Sequence, residues 1–234
     1  MADAVRRNEH GQPVGPALPG WLPRPFPDVA SLAGRFARVE ALTTDHVPEL
    51  YAELCGHGND DLWTYSPHGP FADEGSFAAF VEQRAEDTTC VALAVRDADG
   101  VAAGLTNLMA IQPAHGTVEI GGIVLGRRLQ RTAAATEATY LLLRDVFELG
   151  YRRCEWKCDA LNEPSRQAAL RLGYRYEGRF RNAVVVKERS RDTDWFSITD
   201  ADWPAVAAAL EAWLAPDNHG PEGQRARLAD LRPR

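Results

Sequence analysis

The stretch Val118-Glu-Ile-Gly-Gly-Ile-Val-Leu-Gly-Arg-Arg-Leu-Gln-Arg-Thr-Ala-Ala-Ala-Thr-Glu-Ala138 decides how the chain is read. An apolar run interrupted by Gly121-Gly122 reads as a strand, Gly126 to Arg131 as a short polar loop, and the remainder as the start of a helix. That helix is predicted from about Thr132 to Leu149. Ala135, Ala138, Tyr140, Leu141, Leu142, Val146 and Phe147 give it a broad apolar stripe, and Gly150 ends it. The first N–H groups of a helix lack internal partners, and the macrodipole places partial positive charge there. Small side chains in that turn let an anion approach the amides, and Arg127, Arg128 and Arg131 add cations beside it. Strand, loop and helix together read as a pyrophosphate cradle. An Ala-rich first turn with no ligand at all is the alternative.

Upstream, Arg35 to Leu42 reads as a strand and Thr44 or Asp45 as the cap of a helix ending near Cys55. A loop, Gly56 to Pro70, separates it from a second helix opened by Asp73 or Ser76, with Phe77, Phe80, Val81 and Arg84 at helical spacing. Cys90–Arg96, Val101–Ile111 and Thr117–Leu125 read as strands, the first two joined by the turn Asp97-Ala-Asp-Gly100. Downstream come a strand over Cys154–Ala160, a short helix over Pro164–Leu172, and long antiparallel strands over Tyr174–Glu188 and Thr193–Ile198. Asp200 is the predicted cap of a last helix carrying Trp203, Val206, Leu210, Trp213 and Leu214. The order β-α-α-β-β-β-α-β-α-β-β-α describes an α/β domain, mostly antiparallel, with one crossover helix in the middle.

Four ordered motifs carry a family resemblance. Gln130 to Ala138 resembles the acetyl-CoA motif of the GNAT acetyltransferases, a Gln/Arg-x-x-Gly-x-Gly/Ala loop running into a helix. Asn162-Glu-Pro-Ser-Arg-Gln-Ala-Ala-Leu-Arg-Leu-Gly-Tyr174 resembles that family's downstream Asn-x-x-Ser…Leu-Gly-Phe element. Tyr176 to Arg181 and Arg191 to Trp203 resemble the closing segments of its RimJ/RimL-like branch, and the similarity spans roughly Gly34 to Trp213. The resemblance implies a mixed, mostly antiparallel sheet with splayed central strands flanked by helices. It implies acetyl-CoA as acyl donor, an amine as acceptor, direct attack in a ternary complex, and no metal. Two departures stand out. Ala133 occupies the usual middle glycine, and Ala169 the position, seven after Asn162, where many members carry a general-acid tyrosine.

On this reading the donor binds at Gln130, Arg131, Thr132, Ala133, Ala134, Ala135 and Thr136. Free amides at Ile123, Val124 and Leu125, together with Asn162 and Ser165, take the pantetheine arm and thioester. Glu119 is the candidate general base, directly or through water; a solvent-facing strand residue is the alternative. Ser165 is the candidate relay of a proton to the leaving thiolate, and Asn162 reads equally as a helix N-cap. Trp63, Tyr65 and His68, in the loop where the family builds its acceptor wall, are the candidate substrate contacts. His68 reads as a second possible base or as an exposed turn residue. Trp156, Trp195 and Trp203 read as core. A non-catalytic acyl-CoA-binding module is the competing function; a cradle for another phosphorylated ligand is a third, which no P-loop or G-x-G-x-x-G string supports.

Composition narrows the field. The 234 residues carry 26 basic against 33 acidic side chains, a formal charge of −7, which argues against a nucleic-acid partner held by phosphate contacts. No apolar run is longer than six residues, as in Cys90 to Val95, far below the roughly 20 that span a bilayer, so no membrane partner is expected and the cytoplasm is the expected location. Cys55, Cys90, Cys154 and Cys158 form no C-x-x-C pair and read as buried free thiols. Residues 1–30, with six prolines between Pro13 and Pro27 interleaved with Trp21 and Phe26, read as an arm partly packed on the domain 31–214, and 215–234 as a flexible tail. The arm and the Trp-bearing last helix are the candidate surfaces of a homodimer.

Overall fold

The computed structural model describes residues 6–220 and 223–232. Eight strands form its main sheet: β1 (Ser31–Ala33), β2 (Arg38–Ala41), β3 (Val91–Arg96), β4 (Ala102–Gln112), β5 (Thr117–Leu125), β6 (Arg153–Asp159), β7 (Arg175–Val186) and β8 (Arg189–Thr199). Their spatial order is β1-β2-β3-β4-β5-β6-β8-β7. All neighbours are antiparallel except β5 and β6, which the crossover helix α3 (Ala133–Glu148) joins in parallel. Of these eight strands sequence reading missed only β1, whose three residues are too few to show a period of two.

Helices α1 (Val47–Cys55) and α2 (Glu74–Ala85) cover one face of β2–β5, burying Leu50, Leu54, Phe77 and Val81 against Ala94, Leu105 and Val124. The other face carries α3, α4 (Glu163–Leu172) and α5 (Trp203–Leu214), with Leu141, Leu142, Val146, Leu210 and Trp213 in the larger core. β4 is therefore covered on both sides and is buried from Ala102 to Leu108.

Local chemistry sets the helix starts. Thr132 caps α3, its Oγ1 accepting from the Ala135 amide at 3.3 Å, and Asp73 caps α2 by accepting from Ser76 at 2.7 Å. The last helix departs from expectation. Asp200 lies outside it, and α5 begins after Asp202, whose Oδ2 accepts from Oγ1 of Thr199 at 2.6 Å and closes the turn out of β8.

Buried Glu137 ties α3 to the β1–β2 turn. Its carboxylate accepts from the amides of Arg35 (2.9 Å), Phe36 (2.5 Å) and Ala37 (2.7 Å). Gly34 lies against it, where a Cβ would overlap the carboxylate.

The arm docks through Trp21, whose Nε1 donates to the Ala114 carbonyl at 2.8 Å, and through Pro25, whose carbonyl accepts from the Tyr151 hydroxyl at 3.0 Å. Phe26 stays exposed. The polar composition of 215–234 suggests looseness, yet in its described part Leu228 is 2% exposed inside the core and Arg232 donates to the Leu170 carbonyl at 2.8 Å. Residues 221–222 and 233–234 of that tail, and 1–5 of the arm, lie outside the described residues. Trp213 is buried, and Trp203 stacks on Phe147 with ring centroids 4.9 Å apart.

Candidate active site

The sheet forks between β5 and β6. Their pairing covers only Thr117–Glu119 against Arg153–Glu155, after which β5 runs on to Leu125 and β6 to Asp159 with no register between them. The cause lies in β5. Register with β4 shifts between Gln112 opposite Thr117 and Met109 opposite Glu119, is regular from there to Gly121 opposite Asn107, and resumes at Val124 opposite Leu105, leaving Gly122 and Ile123 as a bulge facing Thr106. Gly122 has φ +60, a region that favours glycine, and Asn107 packs where a Cβ would stand. Asn107 holds the bulge by donating to the Gly121 carbonyl at 3.3 Å while accepting from Arg84 at 3.2 Å. A Cβ on Gly121 would meet Glu119 Oε1 and Met109 Sδ at 2.8 Å, so that glycine makes room for the carboxylate.

A cavity of about 280 Å³ opens from the fork toward the loop between α1 and α2. Glu119, Gly121–Val124, Asn162 and Ser165 lie on its walls together with Trp63, Tyr65 and His68, so the sequence-predicted base, arm contacts and acceptor wall converge on one space. Glu119 is 7% exposed, which removes the solvent-facing reading. Burial raises its pKa above the ordinary glutamate value, and the neighbouring Glu155 adds to this, while Lys157 and Arg191 pull it back. Lys157 Nζ lies 2.9 Å from both Glu119 and Glu155 and 3.9 Å from the Trp195 ring centre. Burial alone would lower the Lys157 pKa, but the two carboxylates outweigh it and leave it raised. Glu155 is lowered: Arg153 and Lys157 overcome its own burial.

Ser165, in the first turn of α4, has its amide tied to Asn162 Oδ1 at 3.2 Å, so Asn162 is the N-cap of that helix. The Ser165 hydroxyl accepts from Trp156 Nε1 at 3.0 Å. Trp156 is thus both core and cavity wall, a role its strand position hid. Ala169 is 0% exposed, packed in the core, so that position offers nothing to the site. Trp63 departs from its expected role as a free contact. It is 1% exposed, its Nε1 donates to the Leu54 carbonyl at 2.9 Å, and it supports Phe71 and Phe80 beneath the cavity wall. Tyr65 is exposed at the rim. Burial, with Arg84 and Lys187 nearby, lowers the His68 pKa and favours the neutral ring.

At the start of α3, Arg131 takes the left-handed conformation (φ +62), so the residue needing that freedom is not Ala133, which begins the helix. Thr132 Oγ1 satisfies Ala135, and Ala133 and Ala134 stand in the first turn, where N–H groups have no intrahelical acceptor. The Thr136 hydroxyl accepts from Arg171 at 2.9 Å. Two of the three expected cations are committed elsewhere. Arg127 pairs with Asp61 at 2.5 Å, and Arg128 with Asp97 and Asp99. Gln130 ties the loop, donating to the Leu125 carbonyl at 2.9 Å. The pairings of Arg127 and Arg128 join residues far apart in sequence and left no local signal.

Sequence reading also missed Lys157, Arg84, Thr106, Asn107 and Arg191, all on the cavity wall. For Lys157 a signal existed: Glu155 and Lys157 alternate onto one face of β6, the face Glu119 shares in register. Among the described residues no group of three or more metal-ligating side chains occurs, and no helix is long and apolar enough to cross a membrane.

Comparison with known proteins bears on this arrangement directly. A family model described as the acetyltransferase (GNAT) domain matches residues 38–175. A GCN5-related N-acetyltransferase from Brucella melitensis is 42% identical over 92% of this chain and 99% of its own, with a TM-score of 0.90. A probable GNAT-family acetyltransferase from Chromobacterium violaceum is 38% identical over 83% of this chain and 98% of its own, with a TM-score of 0.77. The microcin C7 self-immunity acetyltransferase MccE, in complex with acetyl-CoA and AMP, shares the fold at 23% identity and a TM-score of 0.64, over 71% of this chain and 93% of its own. No curated protein matches the sequence. The extent of the family match and of the 42% identity leaves one conclusion: the chain is an acetyltransferase belonging to the GNAT family.

Proposed function

We propose that this protein transfers the acetyl group of acetyl-CoA to a primary amine by direct attack in a ternary complex. The observation that carries the reading is the fork: the inner edge of β5 past Glu119 has no strand partner, and a buried carboxylate of raised pKa stands where the strands part. An extended arm bearing amide groups fits such an edge as an added strand does. The first-turn amides of α3, with Arg131 beside them, suit a pyrophosphate, and Asn162 and Ser165 line the opposite wall.

Acetyl-CoA supplies the activated thioester. Glu119, ionised, accepts a proton from the acceptor's ammonium or from the attacking nitrogen. The nitrogen lone pair forms the new C–N bond, and the C–S bond breaks with its electron pair leaving on sulfur. A backbone amide near Ile123–Leu125 steadies the developing oxyanion. The proton that neutralises the thiolate comes from water or through the Ser165 hydroxyl, itself polarised by the Trp156 N–H.

Two measurements test this. Acetyl-CoA at a hundredfold excess over its Kd stabilises the fold by about 2.7 kcal/mol through linkage, seen as a raised Tm. A thiol-release screen against small amines, amino acids and peptides then finds acceptors. No stabilisation at millimolar acetyl-CoA, or no thiol released with any amine, overturns the assignment.

A further inference from the structure

Three cationic side chains line the cavity, and two are accounted for. Arg84 pairs with Asp87 at 2.9 Å and donates to Asn107. Lys157 bridges Glu119 and Glu155. Arg191 has no ion-pair or hydrogen-bond partner among the described residues, and its Nε is buried with nothing to donate to. A guanidinium is always charged and carries five donors, so leaving its buried Nε without an acceptor costs stability unless something else accepts. The register between β8 and β7 breaks immediately after Arg191, a bulge of the kind that re-aims a side chain.

Arg191 shares the cavity with Glu119 and is near enough to help hold that carboxylate ionised. The pantetheine arm and thioester carry no charge, so the donor's arm gives Arg191 no counter-ion. Asp159, also on the wall, makes no ion pair with it; its carboxylate is turned onto the Leu161 amide at 2.9 Å.

Resting on the reading of Glu119 as the base, we propose that the acceptor amine carries an anionic group, a carboxylate or a phosphate, that Arg191 binds while the nitrogen faces Glu119. The acceptor is then a small zwitterion, and Arg191 selects it against neutral amines. Charge-assisted, two-pronged recognition of this kind is what a guanidinium does best.

The test uses the full chain saturated with coenzyme A and compares paired probes by calorimetry. Glycine, β-alanine and 4-aminobutyrate are each set against the corresponding amide, and phosphoethanolamine against ethanolamine. The anionic member of at least one pair binds about tenfold more tightly or better, and the pair that does so distinguishes carboxylate from phosphate. Arg191→Gln brings the two members within about twofold, Arg191→Lys keeps part of the preference, and both variants bind coenzyme A like the parent. Equal heats for charged and neutral members, absent heats included, overturn the proposal, as does a preference that survives Arg191→Gln. Acetyl-CoA failing to raise the Tm is a separate result and strikes the acetyl-transfer reading instead.

Discussion

Lys157 Nζ sits 2.9 Å from Glu119 Oε2 at the point where β5 and β6 stop pairing, and it holds Glu155 at the same distance. One ammonium thus keeps two carboxylates, opposite one another in register, together at the fork. Burial raises the Glu119 pKa and Lys157 limits the rise, so the residue remains a base that ionises above the ordinary glutamate range.

Replacing that carboxylate by an amide, Glu119→Gln, lowers kcat by about 10²–10⁴-fold while the Kd for acetyl-CoA changes little. Steady-state kinetics beside calorimetry checks it; unchanged turnover removes Glu119 from the chemistry. Urea unfolding of the variant beside the parent separates lost activity from lost structure.

The pH profile carries its own sign. A base must be deprotonated to act, so kcat falls as pH drops through the raised pKa of Glu119, and the acid limb lies above the ordinary carboxylate range. Lys157→Met removes the cation that pulls this pKa down, and the limb moves to higher pH. A pH–rate profile of the two proteins decides the matter; a limb that stays in place denies the coupling.

Gly122→Ala forces a side chain into the left-handed region and onto Asn107. Stability falls by about 2 kcal/mol in urea unfolding, and activity falls with it because the bulge that opens the fork is lost. A variant as stable and active as the parent shows that the bulge tolerates a Cβ.

Glu137→Ala strands the amides of Arg35, Phe36 and Ala37. The expected loss is about 3 kcal/mol, and Glu137→Gln, which keeps an acceptor oxygen, loses less. Denaturant midpoints of the three proteins rank them; an alanine variant within about 0.5 kcal/mol of the parent shows those amides are satisfied without the carboxylate.

Most of the element order is legible because it rests on local features: the stripe of α3, its Thr132 cap, the Asp97–Gly100 turn, and the glycines that end helices. The fork was legible only through family resemblance, since Gly121-Gly122 alone does not say which neighbour β5 leaves. The charges were misjudged where their partners are remote in sequence, as with Arg127 and Asp61 or Arg128 and Asp97. Trp63 illustrates another limit. Its loop is dense in turn residues, yet the ring fills the space under α1 and α2, a consequence of packing that no periodicity announces. Leu228 is similar: with Leu231 it packs a polar tail onto the core.

The short pairing of Thr117–Glu119 with Arg153–Glu155 divides the sheet into two slabs sharing a narrow hinge line. Any guest lying between them serves as a rivet across the seam. Hydrogen exchange at the amides of 120–125 therefore slows on addition of acetyl-CoA more than elsewhere in the sheet.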